Sequence, residues 1–373
     1  MTNSLEDVEI ISIELTQPED RKLPAYDYTT LTAMNTCPAW GSIRYLNSKM
    51  FEGSSRATPL EMGAACHAAF AAIRLYQLAF VQGKMEHANF HGSAIFGGHW
   101  PGILDFMSDT SESELQRQRN GMMAGFHSTG FIDSQYDKRR TIDNAEAALY
   151  VYLDQWDWTT PVWVQDNDKP ASPIGVELLV DFVITARVTP EYTAAFRVPT
   201  VARQGDCVRI RYIGRVDGLH HHGERLRVHE NKTSGRLDDA WEEGFTISHQ
   251  ITGYSIAASL YADEHVEAAD VIGLQIPLPR DSFRAIRRAF VTREKHNYLN
   301  WMRWLFHSLE KVWLYKDTPL QAPQYSHSCN RYFRPCAFIP LCYATDADRA
   351  EFYSQMIDDP WTPLRDYEAK VGD

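Results

Sequence analysis

The segment GRVDGLHHHGERLRVHENKTSG, residues 214–235, contains the residues that decide the predicted fold and function. Apolar and polar residues alternate on both sides of a short polar tip, HHHGE, and Gly223 is a turn residue. This pattern predicts an antiparallel strand–turn–strand hairpin. Asp217 lies in the first arm, and Glu230 and Lys232 lie in the second. These three charged side chains therefore occupy positions where a half-buried hairpin would place core residues.

The hairpin brings the charged groups of its two arms together. Asp217 is expected near Glu230 across the ladder, and Glu230 and Lys232 share one face because residues two apart on a strand point the same way. Neighbouring carboxylates repel one another, and a shared cation removes that repulsion. Carboxylate oxygens suit Mg²⁺ or Mn²⁺, and a nearby lysine can orient or deprotonate water. A solvated, salt-bridged hairpin is the common alternative.

The order of these residues resembles the D…(D/E)-x-K motif of the PD-(D/E)XK nuclease superfamily, seen here as GRVDG and then E-N-K at 230–232. It is most similar to the RecB-family branch, which includes AddB-type and CRISPR-adaptation nucleases and many phage exonucleases. Upstream, G-A-A-C-H matches the family's G-x-x-x-H at His67, and downstream Q-I-T-G-Y matches Q-x-x-x-Y at Gln250 and Tyr254. The resemblance spans residues 28–342, and its specificity lies in the joint order of the motifs.

The resemblance implies roles for individual residues. The implied catalytic residues are Asp217, Glu230, Lys232, Gln250 and Tyr254. The implied metal ligands, the last through its backbone carbonyl, are His67, Asp217, Glu230 and Asn231. From the residues alone, a core position for His67 and an ordinary polar helix edge for Gln250 and Tyr254 remain open alternatives.

Three features near these motifs need separate interpretation. The triplet is E-N-K, whereas relatives often have D-Y-K, and glutamate is an accepted alternative in the superfamily. Glu177, in GVELLVDF, matches a glutamate of the relatives' first core strand, although a salt bridge between strands explains it equally well. The run 220–222 of three histidines alternates faces on a strand, so it cannot chelate a metal from one side. A solvated hairpin tip is the expected environment of that run.

The cysteines indicate a second site. The tail SHSCNRYFRPCAFIPLC spaces Cys329, Cys336 and Cys342 as C-x6-C-x5-C, and Cys37, before Pro38, is the candidate fourth ligand. A disulfide framework is not expected in a chain of this size without a secretory signal. The layout resembles the [4Fe–4S] cluster of iron–sulfur members of the branch, where it acts as a structural clamp. Thiolates also suit Zn²⁺, so zinc at the four cysteines is the alternative.

Charge is distributed unevenly along the 373 residues, whose net charge is −12. Residues 1–20 contribute −6 and residues 346–373 contribute −5, so −1 remains for the rest. The segments 209–236 and 280–303 each hold seven Lys or Arg residues, which is compatible with a phosphate-bearing ligand. The sequence contains no apolar run near the ~18 residues of a spanning helix. A cytoplasmic, intracellular protein with no membrane partner is expected, and a phage-encoded origin is compatible with the resemblance.

The predicted fold is α/β (α+β): a restriction-endonuclease-like core with a central mixed sheet flanked by helices, a helical insertion and a terminal iron–sulfur clamp. The predicted segments are an acidic lead at 1–27, a single RecB-like domain at 28–345 with its insertion at about 84–170 and its cysteines at 329–342, and an acidic tail at 346–373. Strands are expected near 176–185, 207–219, 225–232 and 270–278. Helices are expected over 241–262 and from the N-cap Thr292 to Tyr315.

The predicted function is a metal-dependent deoxyribonuclease, with exonuclease action favoured, that hydrolyses phosphodiester bonds in recombination, repair or phage DNA processing. The implied cofactors are Mg²⁺ or Mn²⁺ and a [4Fe–4S] cluster. The implied partner is DNA, as single strands or duplex ends, and a helicase or recombinase is a compatible protein partner. The alternative function is a non-catalytic DNA-binding or assembly subunit that retains the nuclease fold and metal cluster.

Overall fold

A computed structural model describes residues 8–52, 58–134, 137–156, 158–159, 173–222, 225–266, 268–331 and 334–361. The fold is mixed α/β, with a large mixed sheet flanked by helices, which confirms the sequence prediction at this level. The chain divides into two compact units. Unit 1 comprises Met1–Ser55, Asp181–Gly214 and Lys295–Arg365, and unit 2 comprises Arg56–Val180, Arg215–Glu294 and Asp366–Asp373. The predicted boundaries of one nuclease domain over 28–345 stay a prediction.

The elements are numbered in chain order. The strands are β1 (Val8–Leu15), β2 (Ala25–Tyr26), β3 (Lys49–Met50), β4 (Pro173–Val188), β5 (Arg203–Gln204), β6 (Cys207–His222), β7 (Arg225–Ser234), β8 (Ala268–Gln275), β9 (Ile286–Thr292), β10 (Asn330–Arg331), β11 (Arg334–Pro335) and β12 (Ile357–Asp358). The helices are α1 (Tyr28–Thr36), α2 (Pro38–Gly41), α3 (Thr58–Tyr76), α4 (Met85–Phe96), α5 (Trp100–Ser108), α6 (Glu114–His127), α7 (Ile142–Gln155), α8 (Pro190–Ala195), α9 (Asp239–Glu243), α10 (His249–Ala262), α11 (Lys295–Tyr315), α12 (Ile339–Tyr343) and α13 (Asp346–Ser354).

In unit 1, β1 pairs antiparallel with the second half of β4, and β2 pairs parallel with β6. Helix α11 packs against α1 and buries Trp301, whose ring lies 6.3 Å from that of Phe182 and 5.2 Å from that of Tyr212. Its buried positions recur every three to four residues, as on one face of an amphipathic helix. The predicted acidic lead therefore contains a paired strand, which its charges did not indicate.

The predicted N-cap of α11 at Thr292 is wrong. Thr292 is the last residue of β9 and pairs with Ala268 of β8, so its backbone belongs to the sheet. Helix α11 begins three residues later, at Lys295. A threonine suits both a helix cap and a strand, and the ladder to β8 decides between them here.

In unit 2, β6 and β7 form the predicted antiparallel hairpin, with a register from Gly218↔His229 to His222↔Arg225. The predicted turn residue Gly223 lies outside the described residues. Strand β8 runs parallel to β7 after a connection that contains α9 and α10, and β9 returns antiparallel to β8. The single helix expected over 241–262 is wrong: the chain turns after α9, and the Ser248 hydroxyl caps a new helix, α10, by accepting from the N–H of Ile251.

The helical part of unit 2 packs around α3. Alanines along this helix allow α6 to approach closely, and a Cβ at Gly125 would lie 2.8 Å from the carbonyl oxygen of Ala68 and 2.8 Å from Ala72. By length and composition the segment Thr58–Val81 could cross a membrane, but 72% of its most apolar window is buried in the protein. A core helix gives the same signal, so this segment is weak evidence for a membrane span.

Candidate metal centre

His67, Glu177 and Asp217 converge in unit 2 from three different elements, α3, β4 and β6. One ligand atom from each of them lies within 4.8 Å of the other two. The Nδ1 atom of His67 is 3.2 Å from Oδ2 of Asp217. An imidazole and two carboxylates at this spacing are a donor set that divalent metal ions accept.

His67 and Asp217 shift each other's proton affinity. Burial alone would raise the pKa of Asp217, but the neighbouring His67 and Lys232, together with the N–H of Asn231, hold it well below its usual range. Burial alone would lower the pKa of His67, and the charge and hydrogen bond of Asp217 raise it instead. The Asp217 carboxylate is therefore ionised at neutral pH although its side chain is 7% exposed.

Glu177 enters the site through an unusual backbone conformation. Its φ is 49°, in the left-handed region that non-glycine residues rarely adopt, within the long strand β4. Its buried Oε2 lies 2.9 Å from Nε of Arg215, whose side chain is 53% exposed. Burial raises the pKa of Glu177, Arg215 lowers it, and the charge of Asp217 raises it further. Glu177 thus forms the salt bridge that the sequence allowed and also faces His67 and Asp217, while its match to the relatives' glutamate stays a prediction.

Glu230 and Lys232 share one face of β7, as the hairpin pattern predicts. The Lys232 ammonium lies 2.5 Å from Oε1 of Glu230. Among the residues that the structure describes, Oε2 of Glu230 is buried and has no hydrogen-bond partner. Burial, and then the charge of Asp217, raise the pKa of Glu230 to about 7. The Glu230 carboxylate is therefore close enough to Asp217 for their charges to interact, and its Oε2 atom has no polar partner among the described residues.

Asn231 fixes the two arms of the hairpin to each other. The two arms pair from Gly218↔His229 to His222↔Arg225, and on the far side of the Gly218↔His229 pair the N–H of Asn231 donates to Oδ2 of Asp217 at 2.7 Å. Of the four predicted ligands, the structure brings His67 and Asp217 into the compact group. Glu230 lies outside it and Glu177 joins it, while the predicted ligation by the Asn231 carbonyl stays a prediction.

Comparison with known proteins supplies no family for this chain. No family model matches it, and no curated protein matches it. The resemblance to RecB-family nucleases therefore stays a prediction, and the chemistry of the site carries the functional interpretation.

Gln250 and Tyr254 lie on one face of α10, as their spacing of four predicts. Nε2 of Gln250 donates to the Tyr254 hydroxyl at 2.9 Å. Helix α10 packs against β7 and β8, the strand of the E-N-K triplet and its parallel neighbour. A role for either residue in contacting DNA or in aligning Lys232 stays a prediction.

The histidine run alternates faces as predicted, but the expected solvated tip is wrong for two of its members. His220 is 2% exposed and His222 is 8% exposed. His221 between them points to solvent. Nη1 of Arg74 contacts the imidazole of His220 at 3.1 Å, and Nη1 of Arg227 contacts that of His222 at 3.0 Å.

The four predicted cluster cysteines all belong to unit 1. Burial raises the pKa of Cys342 to about 11, and the nearby thiols of Cys37, Cys336 and Cys329 raise it as well. Within the described residues, however, the four sulfurs do not form a cluster-like arrangement. A zinc ion, with Zn–S distances of about 2.3 Å, needs a more compact group, and a cluster of four irons holds its thiolates further apart. The iron–sulfur cluster and its zinc alternative stay predictions.

Sequence reasoning missed two residues that contact the triplet directly. Arg74 and Tyr152 reach the side chain of Asn231 from α3 and α7. Arg74 follows His67 by seven residues, a spacing that returns to the same face of a helix, so a signal existed. Tyr152 lies in the helical region 84–170, for which the motifs gave no chemistry.

Proposed function

We propose that the chain is a metal-dependent DNA nuclease that hydrolyses phosphodiester bonds, with exonuclease action favoured. The observation that carries the proposal is the convergence of ligand atoms from His67, Glu177 and Asp217 within 4.8 Å of one another. The Glu230–Lys232 pair supplies the remaining groups that phosphodiester hydrolysis needs, since the charge of Lys232 acts on Asp217 and His67 and the charge of Asp217 acts on Glu230.

The donor set fits a divalent cation. The unpartnered buried Oε2 of Glu230 is costly for a folded protein, since a buried polar atom without a hydrogen bond loses its solvation. The pKa values of Glu177 and Glu230 are raised by the same causes, first the burial of each carboxylate and then the negative charge of Asp217. Hard oxygen donors and one imidazole suit Mg²⁺ or Mn²⁺.

The chain's own residues can perform the remaining chemistry. A bound Mg²⁺ or Mn²⁺ ion supplies a Lewis acid for the scissile phosphate. The Lys232 side chain is 26% exposed, so its ammonium can hold the attacking water by a hydrogen bond and neutralise negative charge that develops on the phosphate. Gln250 and Tyr254, on the helix that packs against β7, would align the lysine or contact a DNA phosphate.

The arrangement of unit 2 supports a restriction-endonuclease-like core. The hairpin β6–β7 presents the acidic residue and the E-N-K triplet, and β8 joins β7 in parallel after the connection that contains α10. The basic segment 209–236 supports a polyanionic substrate, as DNA is.

The test is cleavage of end-labelled linear DNA, single- and double-stranded, in the presence of Mg²⁺ or Mn²⁺ and in EDTA. Wild-type protein is expected to cleave only with the metal, and Lys232→Ala to lose cleavage by about a hundredfold or more. The matched control is Lys138→Ala, which removes an exposed lysine of the same unit. Equal cleavage by wild type and Lys232→Ala, or DNA binding without metal-dependent cleavage, contradicts the proposal; the second outcome favours a non-catalytic DNA-binding subunit.

A further inference from the structure

The side chain of Asn231, the middle residue of the E-N-K triplet, is held by a buried polar network on the face of β7 opposite to Glu230 and Lys232. Its Oδ1 accepts hydrogen bonds from the Tyr152 hydroxyl at 3.1 Å and from Nη2 of Arg74 at 3.3 Å. Nε2 of His229 lies 3.3 Å from the same oxygen. Together these three contacts fix the orientation of the Asn231 amide group.

Arg74 is the charged member of the network. It is 1% exposed, and Nη1 donates to Nε2 of His220 at 3.1 Å. In the part of the chain that the structure describes, the guanidinium contacts His220, Tyr152 and Asn231, none of which is a carboxylate, and its Nε has no hydrogen-bond partner. Its positive charge instead acts at longer range on Glu177, whose pKa is raised by burial and is lowered slightly by Arg74. A buried guanidinium that contacts only neutral partners is costly to keep, which argues for a role beyond packing.

Two further observations show how the β6–β7 hairpin accommodates this network. The His220 and His229 ring centroids lie 5.0 Å apart with their planes tilted by 31°, so the histidines of β6 and β7 carry the network across the hairpin. Gly218 leaves room for it, since a Cβ there would lie 2.5 Å from Nη1 of Arg74 and 2.6 Å from Nε2 of His220. The absence of a side chain at Gly218 therefore allows the Arg74 guanidinium to lie against the hairpin.

Asn231 connects this network to the candidate metal centre. Its N–H donates to Asp217, while its side chain is fixed by Arg74 and Tyr152. Successive side chains of a strand point to opposite faces, so fixing Asn231 also fixes the directions of Glu230 and Lys232. We propose that Arg74 is a positioning residue, which acts through Asn231 to hold Glu230 and Lys232 toward Asp217. This inference rests on the proposed function, because it names what orients the same site.

The test compares variants that remove the contact between Arg74 and Asn231 with one that keeps an acceptor for Arg74. Arg74→Met removes the donor, Asn231→Leu removes the acceptor at similar volume, and Asn231→Asp keeps an acceptor for Arg74. The control Arg139→Met removes an arginine whose side chain is 72% exposed. Each variant is measured for kcat and KM on linear DNA and for Mn²⁺ affinity by the electron paramagnetic resonance signal of free Mn²⁺.

Loss of a residue that orients ligands typically costs ten- to a hundredfold in metal affinity or activity. Arg74→Met and Asn231→Leu are therefore expected to lower kcat about tenfold or more and to weaken Mn²⁺ binding, with KM for DNA within about twofold of wild type. Asn231→Asp is expected to stay within about threefold of wild type in both kcat and Mn²⁺ affinity.

The two proposals fail differently. Wild-type values in Asn231→Leu and Arg74→Met overturn the positioning role and leave the nuclease intact, as does a loss in Asn231→Asp equal to that in Asn231→Leu. A wild-type protein that binds Mn²⁺ but does not cleave DNA contradicts the nuclease, and the Mn²⁺ affinities of the variants then still decide the positioning role. If Arg74→Met fails to fold, the pair Asn231→Leu and Asn231→Asp carries the test alone.

Discussion

Nδ1 of His67, on helix α3, lies 3.2 Å from Oδ2 of Asp217, on strand β6. This contact joins the helical part of unit 2 to the hairpin that carries the E-N-K triplet. Burial lowers the pKa of His67, but Asp217 raises it beyond that effect, and His67 in turn lowers the pKa of Asp217, so the contact favours a protonated imidazole beside an ionised carboxylate. A divalent ion that binds both residues must displace the proton of His67, so metal binding and proton release are linked.

Metal binding is expected to stabilise the protein through this pair. A ligand that binds only the folded state raises its stability with concentration, so Mn²⁺ or Mg²⁺ should raise the Tm of wild type measured after EDTA treatment. Asp217→Asn should lose most of that rise. Asp105→Asn, which changes an exposed aspartate of α5, should retain it. A Tm rise of the same size in Asp217→Asn and wild type contradicts the assignment of Asp217 as a ligand.

Metal affinity is expected to depend on pH around neutrality. The pKa of Glu230 is about 7 in the metal-free protein, because the carboxylate is buried and faces Asp217. A carboxylate binds a cation in its deprotonated form, so the affinity for Mn²⁺ should fall as the pH drops below about 7 and level off above it. Titrations with Mn²⁺ at pH 6, 7 and 8 measure this. An affinity that does not change over this range argues against Glu230 as part of the site.

His222 is expected to make the folded state sensitive to acid. Burial, and then the charge of Arg227, lower its pKa to about 4 from 6.5. Between these pH values the unfolded chain binds a proton at His222 that the folded protein does not bind. The neutral, buried His222 therefore contributes its full stability above pH 6.5, and this stability is lost as the pH falls toward 4. The Tm of His222→Gln should therefore fall less than the Tm of wild type between pH 7.5 and 5. The exposed neighbour provides the control, since His221→Gln should follow wild type; equal losses in all three proteins contradict the prediction.

The cysteine prediction is tested by metal content. If Cys37, Cys329, Cys336 and Cys342 hold a [4Fe–4S] cluster, protein purified without oxygen should be brown, with broad visible absorption and iron and sulfide present. Cys336→Ser should lose the colour. Colourless protein with one equivalent of zinc identifies the alternative, and protein free of both metals contradicts the prediction.

The sequence predicts those parts of the fold that depend on local pattern. The hairpin of β6 and β7 follows from alternation around a turn, and the shared faces of Glu230 with Lys232 and of Gln250 with Tyr254 follow from strand and helix periods. Strand β1, VEIISIEL, also alternates, but the six acidic residues of 1–20 led to the prediction of an acidic lead only, and its pairing with β4 depends on residues more than 150 positions away.

The candidate site shows the same limit. Asp217, Glu230 and Glu177 can each be singled out from motif order, but the convergence of Glu177 with His67 and Asp217 depends on the three-dimensional path of β4, in which Glu177 itself has a left-handed backbone. The pattern of alternating histidines cannot show that His220 is buried, since that depends on Arg74 from a helix about 150 residues earlier. Contacts between distant segments therefore decide the environment of residues whose identity the sequence already highlights.

The central claim is that a divalent ion binds among His67, Glu177, Asp217 and Glu230, and anomalous X-ray scattering from crystals equilibrated with Mn²⁺ tests it most directly. We predict one strong anomalous peak within about 2.3 Å of Nδ1 or Nε2 of His67 and of a carboxylate oxygen of Asp217, with Glu177 or Glu230 completing the contact. The absence of a peak at saturating Mn²⁺, or a peak bound only by residues elsewhere in the chain, would contradict the claim.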